Sequence, residues 1–228
     1  MNWEDAYLIQ DALRKRKEAR GGRCVGIKAG LTSRIKMKQM GVETPVMGFL
    51  MGESAVPDGG AVDMSRLIHP RVEAEIAFVL KSELGGPDCD IDAVMEATDF
   101  ILPAAEIIDS RYENFEFDLK SVIADNTSAA RYVTGGAARS ASSTDLQSLG
   151  IVMEKNGEIA ATASGAAVLG NPALSVAMLA NMVAARGKVI PAGSFIMTGG
   201  ATEAVAVKAG DLITIRYQHL GSISMRFV

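Results

Sequence analysis

Two glutamates, Glu73 and Glu75, have the spacing that most clearly allows chemistry. They lie in the segment Arg71–Leu80, where apolar residues alternate as they do on a β-strand. Side chains two positions apart on a strand point the same way, so the two carboxylates stand side by side on one face. Like charges this close repel each other, so the pair indicates either a divalent cation site or a strand face exposed to water. The opposite face is apolar and consists of Val72, Ala74, Ile76, Phe78 and Leu80.

A third carboxylate, Glu106, favours the cation. It interrupts an apolar run over residues 101–109, and a glutamate in such a run is costly unless it is paired or bound to a metal. Asp109, at the end of the run, is a weaker candidate because it suits a turn equally well. Three carboxylates favour Mg²⁺ or Mn²⁺ over zinc. His69 and His219 are far apart in the sequence and form no zinc motif.

A lysine at the end of a short predicted strand, residues 23–28, is the candidate positive group. Lys28 lies on the face opposite the apolar side chains of that strand. It therefore either extends its ammonium to solvent or directs it at a substrate carboxylate or enolate. Thr32 and Ser33 follow, and they suit either of two roles. They cap a short helix that reaches Met40, or they donate hydrogen bonds to an anion at the start of that helix.

Two further pairs of residues follow apolar runs and are candidates for turns or for contacts to a substrate. Asp125 and Asn126 come after one such run, and Thr198 and Gly199 come after another. Glycine after a strand allows the backbone to approach a ligand closely. We interpret Asp125 as a candidate catalytic residue and the other three as candidate substrate contacts, with an ordinary turn as the alternative at each place.

The elements that must position these groups are predicted from periodicity and from cap residues. Asn2 is expected to cap a first helix that ends near Arg20, and Ser175 a helix that ends at Gly187. Many short strands with a few helices predict an α+β fold with a mixed, barrel-like sheet and peripheral helices. The other predicted elements are a helix over residues 91–98, a strand over 100–108, a hairpin over 150–168 that turns at Asn156-Gly157, and strands over 194–198, 212–217 and 222–228.

Length and composition limit the class of protein. We expect a single catalytic domain over residues 1–228, with an N-terminal helix in 1–22 and a metal-binding, β-rich core in 23–228. A net charge of −4 with scattered lysines and arginines argues against a nucleic-acid partner. No apolar stretch without a charge or glycine is long enough to span a membrane, and the first residues do not form a signal peptide. Cys24 and Cys89 are expected to be reduced thiols, so we expect a cytoplasmic protein.

Five segments together resemble the hydratase/decarboxylase branch of the fumarylacetoacetate hydrolase superfamily. The resemblance covers nearly the whole chain and keeps the family's order. It implies the fumarylacetoacetate hydrolase C-terminal fold, Mg²⁺ or Mn²⁺ held by Glu73, Glu75 and Glu106, and a catalytic lysine at Lys28. The segments are VGIKAGLTS at 25–33, HPRVEAEI at 69–76, AEIIDSR at 105–111, ADN at 124–126 and LGS at 220–222.

Within the branch, the sequence is most similar to the decarboxylases, through MGVETP at 40–45, RYENF at 111–115 and VMEKNG at 152–157. This similarity implies metal-dependent decarboxylation of 2-oxo-3-hexenedioate to 2-hydroxypenta-2,4-dienoate and CO₂, in the meta-cleavage degradation of aromatic compounds. The alternatives are hydration of that dienoate, hydrolysis of an acylpyruvate, decarboxylation of oxaloacetate, and a structural subunit that supports a hydratase.

The resemblance also implies partners and a longer N-terminus. We expect a small 2-oxo dicarboxylate as substrate, a homo-oligomer, and a complex with a 2-hydroxypentadienoate hydratase. The sequence itself offers Arg111, Lys120 and Arg131 as candidates to bind the far carboxylate of the substrate, with an ordinary surface charge as the alternative for each. Family members carry a further segment ahead of the first helix, and this sequence begins almost at that helix.

Overall fold

A computed structural model of the chain describes residues 1–33, 37 and 45–228. The predicted helix that reaches Met40 and most of the motif at 40–45 lie outside the described residues. The described helices each begin at a polar cap residue, and Asn2 and Asp5 form a reciprocal capping box at the start of the first. These helices are α1 (Trp3–Glu18), α2 (Ile91–Ala97), α3 (Leu119–Ala124) and α4 (Pro172–Ala184).

The predicted cap of α4 is wrong. Asn171 is the N-cap, because its side chain accepts the backbone N–H of Ala173 and Pro172 occupies the first helical position. Ser175 lies in the first turn instead, fully buried, and its hydroxyl donates to the Thr198 carbonyl oxygen at 2.8 Å. Ser175 therefore links α4 to the strand end that precedes Gly199.

The described strands form two sheets. The first has the order β2-β1-β10-β5-β6-β7-β3, with β11 alongside β5, and the second has the order β4-β13-β12-β8-β9. The bounds in the first sheet are β1 (Cys24–Gly30), β2 (Val46–Met51), β3 (Ala55–Pro57), β5 (Arg71–Leu80), β6 (Thr98–Ile108), β7 (Ala129–Thr134), β10 (Phe195–Met197) and β11 (Val205–Ala206). Those in the second are β4 (Ala61–Val62), β8 (Gly150–Lys155), β9 (Glu158–Ser164), β12 (Leu212–Tyr217) and β13 (Gly221–Phe227).

The fold is α+β, as predicted, and the first sheet curls into a half-barrel. Its long central strands, β5 and β6, pair antiparallel along almost their whole length. The apolar face of β5 packs into the main core against the second sheet and α4. The fully buried Phe78 lies on this face, and truncation of such a side chain to alanine costs about 3–5 kcal/mol of stability. The other face of β5, which carries Glu73 and Glu75, lines the inside of the half-barrel.

One stretch, Gly165–Ala184, has the length and composition of a membrane-spanning helix. Half of it is buried inside the fold, and it contains α4, which contributes Val176, Leu179 and Ala180 to the main core. Packing in the core therefore accounts for its apolar character.

Candidate metal centre and active site

Three carboxylates meet at the centre of β5 and β6. Glu73 and Glu106 are direct partners in the antiparallel ladder, and Glu75 lies two positions further along β5. Each contributes an oxygen to a cluster in which these atoms lie within 4.8 Å of one another. Glu75 and Glu106 are 0% and 1% exposed, whereas Glu73 is half-buried. Two separate sequence signals thus identify one cluster. They are the strand periodicity of Glu73 and Glu75 and the apolar run around Glu106.

Two glycines after β10 let the backbone approach these carboxylates. The Gly199 N–H donates to Glu75 Oε2 at 2.7 Å. A Cβ atom on Gly200 would lie 2.8 Å from the Glu73 carboxyl carbon, and one on Gly199 would lie 2.3 Å from Thr32 Oγ1. Glycine is required at Gly199, where φ is 93°, whereas a side chain at Gly200 would displace the Glu73 carboxylate.

Lys28 reaches the carboxylate cluster from the opposite side of the half-barrel. Its side chain is buried, and Nζ lies 2.6 Å from Glu106 Oε2 and 3.3 Å from the Thr127 carbonyl oxygen. The strand of Lys28, β1, is separated from β6 by β10 and β5. The ion pair therefore crosses the inside of the half-barrel. The interpretation of Lys28 as a lysine that extends to solvent is wrong, because its ammonium is buried and faces Glu106; its contact with a substrate stays a prediction.

The charges of this cluster shift the pKa values of its members. Burial raises the pKa of Glu75 well above its usual value, and the neighbouring Glu106 raises it further against the opposing effect of Lys28. Burial alone lowers the pKa of Lys28, but the facing carboxylates, Glu106 first, outweigh it and raise that pKa above its usual value. Lys28 is thus held as an ammonium, and the carboxylates are held together against repulsion.

The residues present fit a hard divalent cation. Three carboxylates face one ammonium, which leaves two negative charges uncompensated when all are ionised. Glu75 Oε1 and Glu106 Oε1 are buried without a hydrogen-bond partner, which is costly unless another group satisfies them. Oxygen ligands of this kind suit Mg²⁺ or Mn²⁺. Glu73, Glu75 and Glu106 would hold the ion.

A short turn, Asn126–Ser128, closes the cluster on the Lys28 side. The Asn126 side chain accepts from the Phe49 N–H at 2.8 Å and donates to the Phe49 carbonyl oxygen at 3.0 Å. Asn126 was predicted as a substrate contact, and here both polar ends of its amide engage β2. Gly48 makes room for this arrangement, because a Cβ there would lie 2.5 Å from Thr127 Oγ1 and 3.2 Å from Lys28 Cγ.

The other predicted site residues lie around the cluster in different roles. Thr32 is buried against Gly199, and Ser33 is half-buried. The Thr198 hydroxyl donates to the Ile76 carbonyl oxygen at 2.8 Å, so it supports β5. The carboxylate of Asp125 pairs with the Arg111 guanidinium at 2.7 Å. Asp125 thus lies directly before the turn Asn126–Ser128 and faces Arg111.

Asp109 and His69 have structural partners. The Asp109 carboxylate accepts the backbone N–H groups of Ile68 and His69, both at 2.9 Å. The His69 ring lies 2.8 Å from the Ser110 carbonyl oxygen through Nε2, and it stacks on Phe115. Among the described residues, these contacts give His69 no carboxylate partner with which to activate water.

A cleft of about 360 Å³ adjoins the cluster between β2 and β7. Glu106, Arg111, Asp125 and Arg131 line it. The guanidinium of Arg111 is engaged by Asp125 and by the Asp109 carbonyl oxygen, whereas the one described hydrogen bond of Arg131 goes from Nη1 to the carbonyl oxygen of its neighbour Ala130. Arg131 is therefore better placed than Arg111 to bind an anion in this cleft.

Three residues of the site carry no signal in the sequence. Thr127 contributes its backbone carbonyl to Lys28, and Gly48 contributes space. The Tyr217 hydroxyl donates to the Ala104 carbonyl oxygen at 2.5 Å, and Ala104 is the ladder partner of Glu75. All three contributions depend on tertiary packing, so local sequence patterns do not reveal them. They are the Thr127 carbonyl group, the space beside Gly48 and the hydrogen bond from Tyr217 in the second sheet.

Comparisons with known proteins agree with this geometry. Residues 23–228 match the family of the fumarylacetoacetate (FAA) hydrolase C-terminal domain. The chain is 61% identical over 228 residues to a 4-oxalocrotonate decarboxylase of Pseudomonas sp. (strain CF600), covering 100% of this chain and 86% of that protein. It is 37% identical over 227 residues to a 2-keto-4-pentenoate hydratase of Paraburkholderia xenovorans (strain LB400), covering 100% of this chain and 84% of that protein.

A solved structure extends the similarity to the fold. The 4-oxalocrotonate decarboxylase from Pseudomonas putida G7, complexed with magnesium and adipate, superposes with a TM-score of 0.98 at 59% identity. The match covers 100% of this chain and 87% of that one.

Proposed function

Because this chain belongs to the fumarylacetoacetate hydrolase family, we propose that it is a metal-dependent carboxy-lyase acting on 2-oxo-3-hexenedioate, also called 4-oxalocrotonate. The products are 2-hydroxypenta-2,4-dienoate and CO₂. The observation that carries the proposal is the contact of Lys28 with a cluster of three buried or half-buried carboxylates. The 61% identity to a decarboxylase, against 37% to a hydratase, supports loss of CO₂ over addition of water.

Glu73, Glu75 and Glu106 hold Mg²⁺ or Mn²⁺ in this proposal. When bound, the ion supplies Lewis acidity toward the 1-carboxylate and the 2-oxo group of the substrate. The magnesium in the similar decarboxylase of Pseudomonas putida G7 supports this assignment. The buried Oε1 atoms of Glu75 and Glu106 are the acceptors that the ion would satisfy.

The reaction moves one electron pair along a conjugated chain. The bond between C5 and the far carboxylate breaks and CO₂ leaves, while its electron pair forms the C4–C5 double bond. The former C3–C4 double bond shifts to C2–C3, and the 2-oxo oxygen becomes an enol oxygen that takes up a proton. Lys28 Nζ, fixed as an ammonium beside the cluster, places positive charge near that oxygen and is the proposed proton donor.

Residues at the rim would bind the substrate. Thr32 and Ser33, which follow β1, are the proposed hydrogen-bond donors to its carboxylate, and Gly199, whose N–H is held by Glu75, is proposed to let the substrate approach the backbone closely. The far carboxylate would enter from the cleft of about 360 Å³, where Arg131 offers a guanidinium. Asn126, Thr198 and Asp125 would act by shaping this pocket.

The remaining predictions about the whole protein are part of the proposal. The chain forms a single catalytic domain over residues 1–228 and works in the cytoplasm as a homo-oligomer. It associates with the hydratase that consumes its product, in the degradation of aromatic compounds by meta-cleavage. The similarity to 2-keto-4-pentenoate hydratases supports a shared product chemistry.

An activity panel tests the proposal. Purified protein is incubated with the oxo-diacid, the dienoate and an acylpyruvate, each with Mg²⁺ and with a chelator, and products are identified by chromatography. We expect CO₂ from the oxo-diacid with Mg²⁺ only. Formation of a 4-hydroxy-2-oxo acid from the dienoate, without CO₂ release from the oxo-diacid, would assign a hydratase instead. Cleavage of the acylpyruvate alone would assign a hydrolase.

A further inference from the structure

The turn Asn126–Ser128 has an unusual backbone. Its three residues have φ values of 55°, 53° and 59°, and none of them is glycine. Residues with side chains rarely adopt this left-handed conformation, and when they do they occur singly. Three in succession are unfavourable, so surrounding contacts must hold the turn in place. Conformations of this kind cluster at functional sites.

Contacts on both sides hold the turn. The Asn126 amide makes two hydrogen bonds to the backbone of Phe49, and the Ser128 carbonyl oxygen accepts from the Asp109 N–H at 2.9 Å. Arg111 braces the residue before the turn, because its guanidinium binds both the carboxylate and the carbonyl oxygen of Asp125, at 2.7 and 2.6 Å. All three turn residues are buried.

The turn directs one backbone group at the reacting lysine. The Thr127 carbonyl oxygen lies 3.3 Å from Lys28 Nζ, and Glu106 Oε2 lies 2.6 Å from the same atom. An ammonium has three hydrogens to donate. Among the described residues the Thr127 carbonyl oxygen accepts one of them and Glu106 Oε2 is the ion-pair partner, so at least one is available to a substrate. A right-handed or extended backbone at Thr127 would point its carbonyl group elsewhere.

We propose that the left-handed turn Asn126–Ser128 is a positioning element for the reaction, which fixes the orientation of the Lys28 ammonium through the Thr127 carbonyl group. Asn126 and Arg111 are its positioning residues, because their described hydrogen bonds go to Phe49, Asp109 and Asp125 and hold the turn. This inference rests on the proposed function, in which Lys28 acts on the substrate. It extends that function by assigning a role to residues outside the carboxylate cluster.

The variant Asn126→Ala removes both hydrogen bonds to Phe49 and releases the turn. We expect kcat for CO₂ release to fall by about tenfold to a hundredfold, because a misplaced catalytic group loses orientation. KM should stay within about threefold, since the carboxylate cluster is intact. A crystal structure of the variant should show the Thr127 carbonyl turned away from Lys28 Nζ.

Asn156→Ala is the matched control. Asn156 also has a positive φ, of 55°, and its amide also makes two hydrogen bonds, to Asp211 and Leu212, but in the second sheet. Its loss should lower stability and leave kcat unchanged. If Asn126→Ala does not fold, Arg111→Ala tests the same turn from the surface. Arg111→Lys should then recover part of the lost kcat.

Two results would overturn the inference. One is an unchanged kcat in Asn126→Ala although the crystal structure shows a displaced turn. The other is a fall in kcat while the Thr127 carbonyl and Lys28 keep their places. Lys28→Met separates this inference from the proposed function. Full activity of Lys28→Met removes the proposed role of the lysine, whereas an inactive Lys28→Met beside a fully active Asn126→Ala removes only the role of the turn.

Discussion

Lys28 Nζ and Glu106 Oε2 lie 2.6 Å apart, although two strands separate β1 from β6 in the sheet. The contact is possible because the sheet curls, so that side chains on its inner face meet across the interior. It gives the three carboxylates one fixed positive charge and leaves room for a divalent cation. In the proposed function, the same contact holds the ammonium near the oxygen of the oxo acid that develops negative charge.

Removal of one negative charge from the carboxylate cluster should raise thermal stability without a metal and lower it, relative to the wild type, with Mg²⁺. In the metal-free protein, Glu75→Gln should raise the melting temperature by about 2–4 °C, which corresponds to about 1 kcal/mol of relieved repulsion and desolvation. With Mg²⁺ the wild type should gain stability and the variant should not, since it lacks a ligand. Thermal melts of both proteins with and without Mg²⁺ measure these two differences in melting temperature. Glu154→Gln, in the second sheet, is the control and should show neither effect.

A methyl group at Gly200 should weaken metal binding and spare the fold. The added Cβ would lie 2.8 Å from Oε2 of Glu73, and a flexible carboxylate can move away at little cost. We expect Gly200→Ala to lower Mg²⁺ affinity by at least about tenfold, as other changes that reorient a ligand do. Isothermal titration calorimetry measures this. Gly150→Ala, where the nearest atom would lie 3.4 Å away, should bind Mg²⁺ like the wild type.

Lys28→Met should abolish turnover without loss of Mg²⁺ binding. Methionine keeps the apolar stem in the buried site but has no ammonium, so kcat should fall by at least about a hundredfold. Mg²⁺ affinity should stay the same or rise, because a nearby positive charge is gone. Lys155→Met, which removes a lysine paired with Asp211 at 2.9 Å, should keep its activity. Retention of activity by Lys28→Met would contradict the proposed role.

Asp211 should stabilise the second sheet in a pH-dependent way. Burial raises its pKa, but hydrogen bonds from Asn156, Lys155 and the Lys208 N–H outweigh this and lower the pKa from 3.8 to about 2. A lowered folded-state pKa contributes stability above pH 3.8 that is lost as the pH falls toward 2. The urea midpoint of Asp211→Asn should therefore lie below that of the wild type at pH 6, and the gap should narrow at pH 3. The exposed Asp99→Asn should show no such gap at either pH.

The sequence predicts most of the carboxylate cluster because strand periodicity is local. The predicted bounds of Arg71–Leu80 are those of β5, and alternation alone places Glu73 and Glu75 on one face. The hairpin at Asn156-Gly157 is likewise confirmed, since its turn residues adopt positive φ values.

What the sequence does not reveal depends on long-range packing or on competition between caps. The partner of Lys28 follows from the curl of the sheet, which no local pattern specifies. The turn Asn126–Ser128 contains no glycine, so nothing in its composition predicts a left-handed backbone. Ser175 was wrong as a cap because Asn171 followed by proline offers a better helix start.

The release of CO₂ from 2-oxo-3-hexenedioate tests the central claim most directly. Wild-type protein with Mg²⁺ should release one CO₂ for each molecule of substrate consumed and form 2-hydroxypenta-2,4-dienoate, while a chelator or Glu106→Gln should reduce the rate to background. Wild-type protein that binds Mg²⁺ yet releases CO₂ only at the background rate would contradict the account.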